Sequence, residues 1–123
     1  MRAGLAAAKM TRKYGAKKDA NHAAIVELLE KTGTPFLDLS IIGYGVPDLC
    51  VSTKDDILHL WEVKNRKTSY GKKGLNPKQI AWAKAWQGGP VYVIESVEDA
   101  LRFINGERSH VTAVGGYKWG AAS

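Results

Sequence analysis

The sequence has a single cysteine, Cys50, so it can form no internal disulfide and cannot build a thiolate metal cluster by itself. Disulfide scaffolds and zinc fingers are excluded, and the pattern suits a reducing compartment, which gives a cytoplasmic expectation. No stretch approaches the roughly 20 unbroken apolar residues needed to cross a bilayer. The opening residues, MRAGLAAAKMTRKYGAKK, lack the apolar run and cleavage pattern of a secretory signal. No membrane partner is expected. Acid is missing from two stretches. Residues 1–18 carry Arg2, Lys9, Arg12, Lys13, Lys17 and Lys18, and residues 63–94 carry Lys64, Arg66, Lys67, Lys72, Lys73, Lys78 and Lys84, with no Asp or Glu in either. The rest of the chain is net acidic although the whole is +6. Charge segregated in this way suits a polyanion, and a phosphate backbone is the commonest one. A solvated basic face is the bland alternative.

What is present is an ordinary packed protein. A length of 123 residues holds one domain, and 45% hydrophobic with 24% charged residues predicts a core. Residues 1–18 read as a flexible basic arm, 19–106 as the folded domain and 107–123 as a tail or oligomer contact. Asp19 is placed to cap a helix with Ala23, Ile25, Val26 and Leu29 at helical spacing, stopped by Thr32-Gly33 and Pro35. FLDLS (36–40) reads as a half-buried strand, GYGVP (43–47) as a turn, and DLCVS (48–52) and ILHLWEVK (57–64) as a hairpin around TKDD. A basic loop, NRKTSYGKKGLN, leads to a helix opened by Asn76-Pro77 and closed by Gly88-Gly89-Pro90. VYVIE (91–95) is a further strand, and Ser96 with Asp99 caps a last helix, VEDALRFI. Beyond residue 106 an edge strand and a partner contact both stay open.

The chemistry lies in Asp48, Glu62 and Lys64. Side chains alternate along a strand, so Glu62 and Lys64 share one face and Val63 points away. If Thr53 pairs with Ile57 across a three-residue loop, Asp48 faces Glu62; if Thr53 pairs with Asp56, Asp48 faces Trp61 on the wrong face. Two acids held together repel, so either one stays protonated or they take up a divalent cation, and all-oxygen donors favour Mg²⁺ or Mn²⁺. Such an ion polarises a phosphoryl oxygen and activates water, and a lysine beside it steadies the growing negative charge. The bland reading of an isolated E-x-K is a surface ion pair of little worth.

GVPDL (45–49), then EVK (62–64), then a helix beginning near Gln79 resembles the PD-(D/E)XK nuclease superfamily, in particular its small stand-alone VRR-NUC members found in phages and prophages. The resemblance spans about Asp19 to Ile104 and implies an α/β fold, a restriction-endonuclease-like αβββαβ core with a mixed central sheet flanked by helices. That element order is also the one read from the residues. The resemblance implies Asp48 and Glu62 as metal ligands, the Val63 carbonyl as a backbone ligand, Lys64 as the catalytic lysine and Gln79 as the polar residue of the following helix. Many members carry an acid on the first helix facing the metal; here His22 takes the inward position and Glu27 lies off the stripe. His22 is thus either a metal ligand or a satisfied core histidine. Gln79 has a second explanation as a capping-box residue, and Trp82 with Trp86 reads as core, with base stacking as the alternative. The expectation is a divalent-metal-dependent endonuclease on DNA, selective for branched or junction shapes, gripped by Arg66, Lys67, Lys72, Lys73 and Lys78. A homodimer would be needed to cut two strands symmetrically. The competing class is a non-catalytic nucleic-acid-binding module on the same fold.

Overall fold

The computed structural model of the protein describes residues 21–65 and 75–116. The basic arm, Asp19, Tyr117 and Trp119 lie outside the described residues, as do Arg66, Lys67, Lys72 and Lys73 of the basic loop. In chain order the elements are α1 (His22–Thr32), β1 (Phe36–Asp38), β2 (Leu49–Ser52), β3 (Leu58–Val63), α2 (Pro77–Ala85), β4 (Val91–Ile94), α3 (Val97–Ile104) and β5 (Thr112–Val114). The strands form one five-stranded mixed sheet in the order β1-β2-β3-β4-β5. β3 and β4 run parallel, and the other three pairings are antiparallel.

The hairpin is set by its loop. Asp56 N–H donates to the Thr53 carbonyl at 3.0 Å, Thr53 N–H to the Ile57 carbonyl at 3.3 Å, and Asp56 sits at φ +63°. That is the three-residue hairpin loop whose last residue is left-handed, a conformation Asp tolerates better than most side chains. Leu49 therefore faces Trp61 and Val51 faces His59, and one step further the same register sets Asp48 against Glu62.

Alternation assigns the faces. Trp61 shows one face of the sheet to α3, its ring 5.3 Å from that of Phe103, and α1 packs on the same side. Ile25, Leu29, Phe36, Leu49, Val51, Val63 and Ile94 complete this core. Its burial is the main favourable term holding the layers together. Glu62 points to the other face, where α2 lies. Gly45, at φ +83°, is pressed on the Lys78 carbonyl of α2 so closely that a Cβ would collide with it. This contact and the positive φ both require glycine.

Several expectations shift. Asn21, not Asp19, stands at the N-cap position of α1, and its side chain makes no cap bond because it is used elsewhere. Ala23 is exposed, and the buried stripe is His22, Ile25 and Leu29. In β1 Phe36 is buried as hydropathy expects, but Asp38 is also buried and Leu37 exposed. The Ser96 cap of α3 is as expected, Ser96 Oγ accepting from Asp99 N at 3.0 Å, and α3 keeps its expected bounds. Past residue 106 the chain adds β5 as an edge strand beside β4. Trp82 and Trp86 stack on each other, ring centroids 5.1 Å apart, at the surface and not in the core, with Trp86 44% exposed.

Candidate active site

Three elements converge at the C-terminal end of β3. Glu62 and Lys64 are almost wholly buried, at 3% and 2% exposure. Asp48 reaches across the end of the hairpin, and its Oδ2 accepts a hydrogen bond from the Val63 amide at 2.9 Å. Val63 thus enters the site through its N–H, a contact the sequence reading did not contain. Burial pushes the Asp48 carboxyl up. The Val63 amide, a hydrogen bond with Glu62, and the electrostatic influence of His22 and Lys64 pull the other way without cancelling it.

Gln79 closes the cap of α2 and also reaches Glu62. Its Oε1 accepts from Asn76 N–H at 2.9 Å, and its own N–H donates to Asn76 Oδ1 at 2.9 Å, a complete capping box. Its Nε2 donates to Glu62 Oε2 at 2.7 Å. One end of the amide fixes the helix, and the other holds the carboxylate.

Lys64 is fixed at both sides of its backbone. Its N–H donates to the Ile94 carbonyl at 2.9 Å. Asn21 Nδ2 donates to the Lys64 carbonyl at 2.9 Å and to the Glu95 carbonyl at 2.6 Å, clasping the ends of β3 and β4. Asn21 had no sequence signal beyond its place at a helix start, because its partners are 43 and 74 residues away.

His22 is buried but bonded to Asp38, Nε2 to Oδ2 at 3.0 Å. Asp38 sits opposite Leu49 on the α1 face, whereas Asp48 and Glu62 belong to the α2 face. The placement therefore favours the core-histidine reading of His22 over the metal-ligand one. Burial pushes the Asp38 carboxyl up, and hydrogen bonds from His22 and from Ser40 N–H and Oγ outweigh it, so it ends well below the usual carboxylate range. Lys78 is exposed on the first turn of α2. Among the described residues no three His, Cys, Asp or Glu side chains form a group that could hold a metal ion. The donor set is a carboxylate pair with a backbone carbonyl between Glu62 and Lys64. That suits Mg²⁺, which is commonly bound by one or two carboxylates and fills its other positions with water and phosphate oxygens.

A second polar cluster lies at the opposite end of β3. Buried His59 accepts from Arg108 Nη2 at 3.2 Å, and Thr53 Oγ1 lies 3.0 Å from the same ring nitrogen and donates to Asp55. Arg108 also bonds Asp55 at 3.2 Å. Burial pushes the His59 imidazole down and Arg108 adds to this, against a smaller upward pull from Asp55.

No protein-family model, no curated protein and no solved structure matches the chain. Among the described residues no helix is long and apolar enough to cross a membrane.

Proposed function

We propose that the protein is a divalent-metal-dependent endonuclease of the PD-(D/E)XK type, hydrolysing DNA phosphodiester bonds at the end of β3. The observation that carries this reading is one alignment: Asp48 set against Glu62, Lys64 on the same face, and Gln79 bonded to Glu62. A surface ion pair would not need a buried lysine, two carboxylates and a helix amide brought to one place. Asp48 and Glu62, with the Val63 carbonyl, would hold Mg²⁺ or Mn²⁺. When bound, the ion would polarise the scissile phosphate and raise the acidity of an attacking water.

The chain's own groups do the rest. Gln79 fixes the Glu62 carboxylate, and the Val63 amide fixes that of Asp48, so neither needs to reorient when phosphate arrives. Lys64, its backbone held by β4 and by Asn21, supplies a positive charge to the oxygens that gain negative charge in the transition state. Lys78 and the basic loop residues Arg66, Lys67, Lys72 and Lys73 would neutralise flanking phosphates. Cutting both strands would call for a second copy of the chain.

Asp48→Ala and Glu62→Ala should abolish cutting of plasmid and branched DNA in Mg²⁺ or Mn²⁺. Binding should stay equal or tighten, since each change removes negative charge beside the phosphate. Lys64→Ala should stop turnover as well. Binding in EDTA with no cutting under any metal would instead leave a nucleic-acid-binding module, and normal cutting by Asp48→Ala would sink the assignment.

A further inference from the structure

The loop joining β1 to β2 exposes what a protein ordinarily hides. Tyr44 is 85% exposed, Ile42 47% and Ile41 38%, within four consecutive residues. The loop is not loosely held. Leu39 N–H donates to the Asp48 carbonyl at 2.7 Å, Ile42 N–H to the Leu39 carbonyl at 3.0 Å, and Val46 N–H to the Gly43 carbonyl at 3.0 Å. Gly43, Tyr44 and Gly45 take φ values of +75°, +58° and +83° in succession. Glycine adopts such angles freely, but a tyrosine there crowds its Cβ against the backbone. Tyr44 holds that angle nonetheless, exposed between two glycines.

Its position is informative. On one side the loop runs through buried Pro47 into Asp48. On the other, Gly45 lies against the Lys78 carbonyl and within 3.2 Å, measured from an ideal Cβ, of the Gln79 amide. The loop that carries the apolar tip is thus joined to the carboxylate site at both Asp48 and the first turn of α2, which Gly45 touches directly after Tyr44. A nucleic acid whose phosphate lies at Asp48 and Glu62 has its bases alongside, and apolar side chains that enter a base step unstack it, while aromatic rings replace the lost stacking.

We propose that Ile41, Ile42 and Tyr44 form an apolar wedge that stacks on the bases next to the phosphate held at Asp48 and Glu62. The favoured substrate is then nucleic acid with unpaired or weakly stacked bases at that point, such as a flap or a junction. This rests on the nuclease reading of the site and adds the element that would select its substrate.

The test uses the full chain in EDTA, so that nothing is cut, and a flap DNA carrying 2-aminopurine at the branch point. The wild type and Tyr44→Phe should change its fluorescence on binding, both in the same direction. Tyr44→Ala and Tyr44→Gly should lose most of that change and bind the flap roughly tenfold more weakly. Affinity for an unbroken duplex should change less than about twofold. Tyr44→Gly relieves the positive φ, so its loss of response reports the missing ring and not misfolding. The proposal is overturned if the Ala and Gly variants respond as the wild type does, or if the wild type gives no response. It is also overturned if Tyr44→Ala halves the mass in solution while leaving the response intact, because the patch would then join two copies. A ring-dependent response without cutting in Mg²⁺ or Mn²⁺ would uphold the wedge and remove the nuclease reading. Asp48-dependent cutting that ignores Tyr44 on every substrate would do the reverse.

Discussion

At the scale of single residues, the site depends on side chains that satisfy two partners at once. Gln79 is the clearest. If it only capped α2, Gln79→Glu would be a full replacement, since a carboxylate accepts the Asn76 N–H and suits a helix N-terminus. Because the Nε2 also donates to Glu62, Gln79→Glu should keep the helix yet set a third carboxylate against the pair. Single-turnover cutting should fall at least tenfold in both Gln79→Glu and Gln79→Ala, and Gln79→Ala should also lose roughly 1–3 kcal/mol of stability in urea. Equal cutting by Gln79→Glu and the wild type would mean that the bond to Glu62 is idle. His59 gives a separate prediction at the far end of β3. Its folded-state pKa is depressed below 6.5, so the unfolded chain binds the proton more readily. Stability is complete above about pH 6.5 and falls as pH drops toward the folded value. The urea midpoint of His59→Gln should therefore decline less than that of the wild type between pH 7.5 and 5.5, and parallel declines would show that His59 is not the sensor.

At the scale of elements, the hairpin loop governs whether the carboxylates meet. Residues 54–56 make a turn whose three-residue length sets Asp48 opposite Glu62, and fully buried Leu49 and Val51 lock that register from the core side. Deleting Lys54 asks the strand either to slide, which turns its buried side chains outward, or to strain the turn. The deletion should cost several kcal/mol in urea, or prevent folding, and abolish cutting. A Gly-Ser insertion beside Lys54 leaves the ladder free to keep its register. It should cost roughly 0.5–1 kcal/mol in loop closure and leave the cutting rate within about twofold. Comparable damage from both changes would show that the loop does not set the register. Sequence narrowed this part of the site to two registers, because strand parity and loop length are local, and the hydrogen bonds of the loop choose between them. The Asn76-Gln79 and Ser96 caps were legible for the same reason, each closed within three residues. Asp38 was not legible, because an aspartate reads as outward until His22, 16 residues earlier, is known to meet it. Trp82 and Trp86 misled in the opposite sense: their i, i+4 spacing fits a core stripe, yet α2 buries only Ala83.

At the scale of the molecule, the sheet has two edges, β1 and β5, and a single described carboxylate site. One such site nicks one strand, so the proposed activity on two strands requires two copies related by a twofold axis. Light scattering at micromolar concentration, with and without DNA, should give twice the protomer mass, and one protomer mass under both conditions would remove the dimer. The layered arrangement also orders events in time. The β2–β3 hairpin closes over three residues, whereas the parallel β3–β4 pairing must wait for the crossover through α2. Short loops close sooner than long ones, so Asp48 and Glu62 should come together before Gln79 reaches them and before Asn21 clasps Lys64 to Glu95. A chain still folding would then hold two bare acids that repel each other, and the contacts that arm the lysine and steady the carboxylates would be among the last to form. On the proposed reading, competence to cut would in this way be deferred until the crossover has closed.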